Sequence, residues 1–164
     1  MFTTIVGKKR RGKTSLAKEI IRNGEYDQVY ILDFAREYQF LTNKRGFYVS
    51  SDSYHLWLFC EKVWETSDPN KKNLVVFDEI HRYGKYSRPI HDLYRYAAKC
   101  NIDIIAISHR PTDFHPDWRE QFDEFKIFRL TDRTTKRFLR DYLPDHEIEK
   151  IANLDVLKYV TLEL

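Results

Sequence analysis

Residues Gly7 to Thr14 read G-K-K-R-R-G-K-T, a full match to the spacing G-x-x-x-x-G-K-[ST]. Two glycines at that separation let the backbone curl until its N–H groups converge on phosphate oxygens, and the dipole of a following helix also favours negative charge. In that arrangement Lys13 reaches the β- and γ-phosphates of a nucleoside triphosphate and Thr14 ligates Mg²⁺. The predicted nucleotide-binding segment is therefore Gly7, Lys8, Lys9, Arg10, Arg11, Gly12, Lys13, Thr14 and Ser15. Its four consecutive cations either deepen the positive potential over a triphosphate or reach out to a second polyanion such as DNA. The run KKRRGK also matches a nuclear-import patch, although the glycine spacing and apolar flanks account for it more fully.

A second chemical element is Leu74-Val75-Val76-Phe77-Asp78-Glu79, an apolar run ending in two carboxylates. Alone it reads as a strand followed by a turn. Behind a phosphate loop it supplies Asp78 for the Mg²⁺ shell and Glu79 to polarise the attacking water, which favours hydrolysis over simple transfer. A third run, Ile102 to Ile107, delivers Ser108-His109-Arg110-Pro111 at its carboxyl end, where open parallel sheets place ligand contacts. There His109 can sense the γ-phosphate; the plainer reading is a turn closed by Pro111. The stretch from His81 to Arg88 interleaves aromatics and cations, which suits Arg82, Lys85 and Arg88 to a DNA phosphate backbone and equally suits a protein interface. Lys71 and Lys72 read as a solvated turn, and His55, His81, His91, His115 and His146 have no partners at metal-binding spacing.

These residues need a scaffold that brings distant segments together. Apolar runs alternate with helical periodicities throughout, which predicts an α/β fold with a mainly parallel central sheet covered by helices on both faces. Predicted strands are Thr3–Val6, Gln28–Leu32, Leu74–Phe77, Ile102–Ile107, Phe125–Leu130 and Val156–Leu162. Predicted helices run from Lys13 to Arg22, around the stripe Leu56, Phe59, Cys60, Val63 and Trp64, over His91–Lys99, from a cap at Thr131 or Asp132 to Tyr142, and from Pro144-Asp145 to Ala152. Asp33 to Arg45 is mixed, a loop with a short helix. The 164 residues suit one domain, 1–164. Net charge is +3, from 28 Lys and Arg against 25 Asp and Glu, so any DNA contact must be local. Cys60 and Cys100 read as buried free thiols, which fits a reducing cytoplasm. No apolar run approaches the roughly 18 residues needed to cross a bilayer, which predicts a soluble chain with no direct membrane insertion.

The combination G-K-K-R-R-G-K-T, V-V-F-D-E-I-H-R, Y-R-Y-A-A-K-C-N-I-D-I-I-A-I-S-H-R-P and F-K-I-F-R-L-T-D resembles the HerA/FtsK superfamily of DNA-pumping ATPases, above all the compact versions that package viral and phage genomes. The resemblance implies a RecA/ASCE-like P-loop NTPase fold, ATP and Mg²⁺ as cofactors, and a homo-oligomeric ring, usually a hexamer, drawing double-stranded DNA through its centre. It further implies a location in the cytoplasm, that of the host if viral, with virion association and capsid or portal proteins as partners. An arginine from the adjacent subunit normally completes such a site; Arg88 and Arg95 are the candidates here, chosen from Arg82, Arg88, Arg95, Arg110 and Arg129. His109 stands where the family usually has Gln, so its sensor role would carry a charge dependent on pH. Two other readings stay open: a nucleotide-dependent morphogenesis or secretion protein resembling filamentous-phage assembly ATPases, and a small P-loop kinase.

Overall fold

Short runs of apolar residues set the centre of the molecule. The computed structural model describes residues 1–42, 45–51, 56–83 and 87–163, with the side chain of residue 96 left aside. Strands β1 (Phe2–Val6), β2 (Gln28–Leu32), β3 (Phe47–Ser50), β4 (Asn73–Phe77), β5 (Ile102–Ser108), β6 (Glu124–Phe128) and β7 (Tyr159–Glu163) form one sheet in the order β3-β2-β4-β5-β1-β6-β7. All pairings are parallel except β6 with β7. Every residue of β1 and β4 is buried, the pattern expected of strands covered on both faces.

Alternation along the strands divides the core in two. Ile105 and Ile107 of β5 face α1 (Lys13–Asn23), packing with Ile5, Leu16, Ala17 and Ile21. Ile104 and Ala106 face the opposite layer, built from α2 (Leu56–Thr66), α3 (Arg88–Tyr96), α4 (Pro116–Arg119), α5 (Arg133–Leu139) and α6 (Asp145–Ala152). That layer is rich in aromatics: Phe59 meets Phe77 edge-on at 5.9 Å, and Tyr94 stacks on Trp118 at 5.3 Å.

Several boundaries differ from the sequence reading. β3 is an additional edge strand; its residues are half-buried or exposed, so they lack the apolar run that marks the central strands. Helix α3 starts at Arg88, ahead of His91, because Pro89 in its first turn has φ already set for a helix. Asp132 is the cap of α5, accepting hydrogen bonds from Thr135 N at 3.0 Å and Thr135 Oγ1 at 2.8 Å, and the helix stops at Leu139 rather than Tyr142. β7 begins at Tyr159 because Lys158 N closes a turn onto Asp155 O and Leu157 takes a positive φ of 68°. Cys60 is buried as expected, whereas Cys100 is only half-buried, at the sheet end where a 3₁₀ turn (Ala97–Cys100) leads into β5. Among the described residues no helix is long and apolar enough to cross a membrane.

Candidate functional site

Parallel register brings the chemical segments together. Leu32 of β2 lies opposite Phe77 of β4, Phe77 opposite Ala106 of β5, and Val6 of β1 opposite Ser108. The residues that leave these strands, Asp33, Asp78-Glu79, His109 and Gly7, therefore emerge at one edge of the sheet. Strand β5 stands between β1 and β4, so His109 leaves the sheet between the phosphate loop and the acidic pair. A hollow of about 390 Å³ at this edge is lined by Lys9, Arg10, Lys13, Thr14, Asp78, Glu79 and His109, with Phe34, Ala35, Glu37 and Arg82 completing its wall.

The loop geometry rests on its two glycines. A Cβ on Gly7 would approach Phe128 Cβ to 2.6 Å, and Gly12 sits at φ +100°, a conformation that side chains disfavour, as it leads into α1. Lys13 is buried at the start of α1, its Nζ folded onto Lys8 O at 3.1 Å. Burial lowers its pKa, while the charges of Asp78, Glu79 and Glu37 pull the other way. Lys8 leaves the hollow and donates to Thr131 Oγ1 at 2.7 Å. Arg11 and Ser15 do not line the hollow, although both belong to the predicted segment.

Asp78 is 2% exposed, and its carboxyl is pushed up to about 7 by burial first and then by Glu37, Asp33 and Glu79, with Lys13 opposing. A buried carboxyl surrounded by three other acids and one lysine has an excess of negative charge that a cation would balance. Thr14 and Asp78 line the same hollow, which fits a Mg²⁺ ion held by one or two protein oxygens and completed by phosphate and water. Glu79 adopts φ 52°, a region that non-glycine residues enter rarely and mostly under functional constraint. Its carboxylate is bracketed: Arg82 Nε lies 3.3 Å from Oε2 and His109 Nε2 lies 3.6 Å from Oε1.

His109 Nε2 is sealed from solvent without a hydrogen-bond partner among the described residues. Burial lowers the His109 pKa, and the nearby Lys13 and His81 lower it further against the opposing charges of Glu79 and Asp113, which favours the neutral ring. His81 packs beside it with centroids 4.6 Å apart and contacts Ser108 Oγ through Nδ1 at 3.3 Å. Ser108 Oγ in turn donates to Asp113. The sequence reading gave His81 only a structural or surface role, because its meeting with His109, between the ends of the adjacent strands β4 and β5, is not local.

Glu37, Phe34 and the buried Asp33 were also missed. Asp33 accepts from the backbone N–H groups of Glu37 and Tyr38, both at 2.8 Å, and so fixes the segment that forms the outer wall of the hollow. The only signal was its place after an apolar strand. Arg88 and Arg95 lie exposed on α3, Arg88 with Asp92 at 3.7 Å, and neither lines this hollow. Arg82 lines the hollow itself, with its guanidinium 4.7 Å from the Phe34 ring centre, and Lys85 lies outside the described residues, as does His55.

A family model for the AAA domain matches residues 1–122. The chain belongs to the AAA domain family. No curated protein is significantly similar to this AAA domain in sequence. Among solved structures it is similar to B204, the DNA-packaging ATPase of Sulfolobus turreted icosahedral virus, with a TM-score of 0.78 and 18% identity over 99% of this chain and 91% of that one. It is likewise similar to the genome-packaging NTPase B204 of Sulfolobus turreted icosahedral virus 2 in complex with AMPPCP, with a TM-score of 0.80 and 17% identity over the same shares. A third similarity is to EccC of Thermomonospora curvata, ATPases 2 and 3 with a signal sequence peptide, with a TM-score of 0.71 and 13% identity over 99% of this chain and 37% of that one. The α/β P-loop NTPase fold is common to all three, and this AAA domain shares it.

Proposed function

We propose that this chain is an ATPase of one domain, 1–164, that hydrolyses ATP to ADP and phosphate and uses the energy to move double-stranded DNA as the packaging motor of a virus, phage or mobile element. The observation that carries the reading is the meeting of Lys13, Thr14, Asp78, Glu79 and the unpartnered His109 Nε2 around one hollow. The DNA-packaging role draws on the similarity to B204, which extends over 99% of the chain.

In this reading the phosphate loop and Lys13 hold the β- and γ-phosphates, and Glu79 accepts the proton of the attacking water. Thr14 and Asp78 hold Mg²⁺, which when bound neutralises charge on the phosphates. With a small turn of its ring out of the sealed position, His109 brings Nε2 to the γ-phosphate as donor, its single proton placed there when the ring is neutral. Arg82, clasping Glu79, connects the aromatic and basic segment after the acidic pair to the hydrolytic carboxylate. Copies assemble as a ring, a hexamer by family resemblance, and Arg88 or Arg95 of α3 reaches a neighbour's hollow.

The test is ATP turnover with and without duplex DNA. Turnover should rise with DNA and vanish in Lys13→Ala, while Glu79→Gln should keep nucleotide affinity and lose about 10²- to 10⁴-fold in rate, as removal of a general base does. DNA-independent phosphoryl transfer to a small molecule would point to a kinase and refute the motor. The similarity to EccC with its signal sequence peptide favours one alternative, a secretion ATPase. In that case peptide, and not DNA, stimulates turnover.

A further inference from the structure

Over α5 lies a second, larger depression of about 670 Å³, lined by Thr131, Arg133, Thr134, Lys136, Arg137 and Arg140. The four cations stand at i, i+3, i+4 and i+7, which places them on one face of α5, while Thr135, Phe138 and Leu139 take the opposite face into the core. Lys136 and Arg140 are answered by Glu149 at 2.6 Å and Asp145 at 2.9 Å, exposed pairs that hold each other weakly in water. Arg133 and Arg137 are exposed and have no acidic partner among the described residues. Their mutual repulsion does nothing for the fold.

The depression continues toward the phosphate loop. A neighbouring hollow of about 460 Å³ is lined in part by Lys8, Lys9 and Arg110, and the Lys8 to Thr131 hydrogen bond marks where the two meet. The acids in this hollow, Asp113, which accepts from Ser108 and from Arg110 N, and Asp132, which caps α5, are outnumbered by its cations Lys8, Lys9 and Arg110. A basic strip thus runs from the loop across the outer face of α5, on a chain whose net charge is only +3.

We propose that this strip binds the phosphate backbone of duplex DNA, with Arg133 and Arg137 as its principal contacts. The proposal takes the identity of the polyanion from the motor reading. A protein partner is the poorer fit, because interfaces that use arginine set it among aromatic and apolar side chains, and the depression over α5 is lined only by Arg, Lys and Thr. One turn of helix separates the two arginines by about 6 Å along its axis, an interval of about two phosphates on one strand. Contacts of this kind position DNA without reading its sequence. The bond from Lys8 to Thr131 ties the strip to the loop that would cradle ATP, giving the two polyanions a shared element.

The test uses the full chain, a labelled duplex, fluorescence anisotropy over a range of salt, and particle mass. In Arg133→Ala/Arg137→Ala, affinity at low salt should fall about tenfold and the log–log salt slope should shrink by about 2, one for each lost phosphate contact. ATP turnover without DNA should stay unchanged, and Arg133→Lys/Arg137→Lys should recover most of the affinity, since a point charge suffices for backbone contact. Wild-type binding of duplex with an unaltered affinity and slope in the double alanine variant overturns the strip and leaves the motor reading standing. Failure of the wild type to bind duplex at all overturns both. A fall in particle mass at constant salt slope would instead make α5 a contact between copies and refute the proposal.

Discussion

Asp78→Asn is expected to make the nucleotide-free protein more stable and to do so in a pH-dependent manner. The Asp78 carboxyl moves from an ordinary value of 3.8 to about 7, chiefly through burial and then through Glu37, Asp33 and Glu79. Because the folded-state value lies above the unfolded one, the folded chain holds more protons than the unfolded chain across that interval, and its stability falls as pH rises through it. A displacement of this size costs at most about 4 kcal/mol once the group is fully ionised. Asparagine has nearly the same shape and cannot ionise, so the variant escapes the cost. Urea denaturation in Mg²⁺-free buffer should show wild type and variant equal near pH 4 and the variant ahead by about 2–4 kcal/mol near pH 8, at unchanged denaturant slope. The same variant should lose Mg²⁺-dependent nucleotide binding if, as proposed above, the acid that destabilises the nucleotide-free fold is also the one that takes the metal. A difference that stays flat between about pH 5 and 8, or a variant less stable at the upper end, would refute the linkage argument.

Three further outcomes follow from the geometry. Gly7→Ala forces a Cβ to within 2.6 Å of Phe128 Cβ and should cost about 1–3 kcal/mol in thermal or urea unfolding, with weaker nucleotide binding; an unchanged midpoint would show that the loop has room. Asp33→Ala leaves the N–H groups of Glu37 and Tyr38 without their acceptor and should cost about 1–3 kcal/mol, with faster proteolytic nicking in the segment 34–38, while Asp33→Asn loses less. The Cys60 thiol is pushed up to about 12 by burial and by Asp92, so a thiol reagent at neutral pH should titrate Cys100 first and reach Cys60 only on unfolding; two equally fast thiols would contradict the packing of α2.

The phosphate loop, the acidic pair and six of the seven described strands were legible because each is written in consecutive residues. Gly7, Gly12, Lys13 and Thr14 are fixed by local spacing, and the runs in β1, β4 and β5 are apolar because both faces are covered. β3 escaped notice as a four-residue edge strand with no fully buried residue, shorter than the other edge strand, β7, which was read from the sequence. Helix ends shifted where a single residue decided them, as at Pro89 and Asp132.

What the sequence by itself determined is the list of reactive groups and the alternation of strands and helices, since both depend on neighbours in the chain. Tertiary structure alone decided which of those groups meet. The insertion of β5 between β1 and β4 sets His109 beside Glu79 and His81, although 30 residues part it from Glu79. The same folding brings Asp33 and Glu37 to Asp78 and raises its pKa, and it sets the cations of α5 next to Lys8. Electrostatic coupling and desolvation act through space, so neither Asp78 nor His109 shows its proton affinity until the strand ends are aligned.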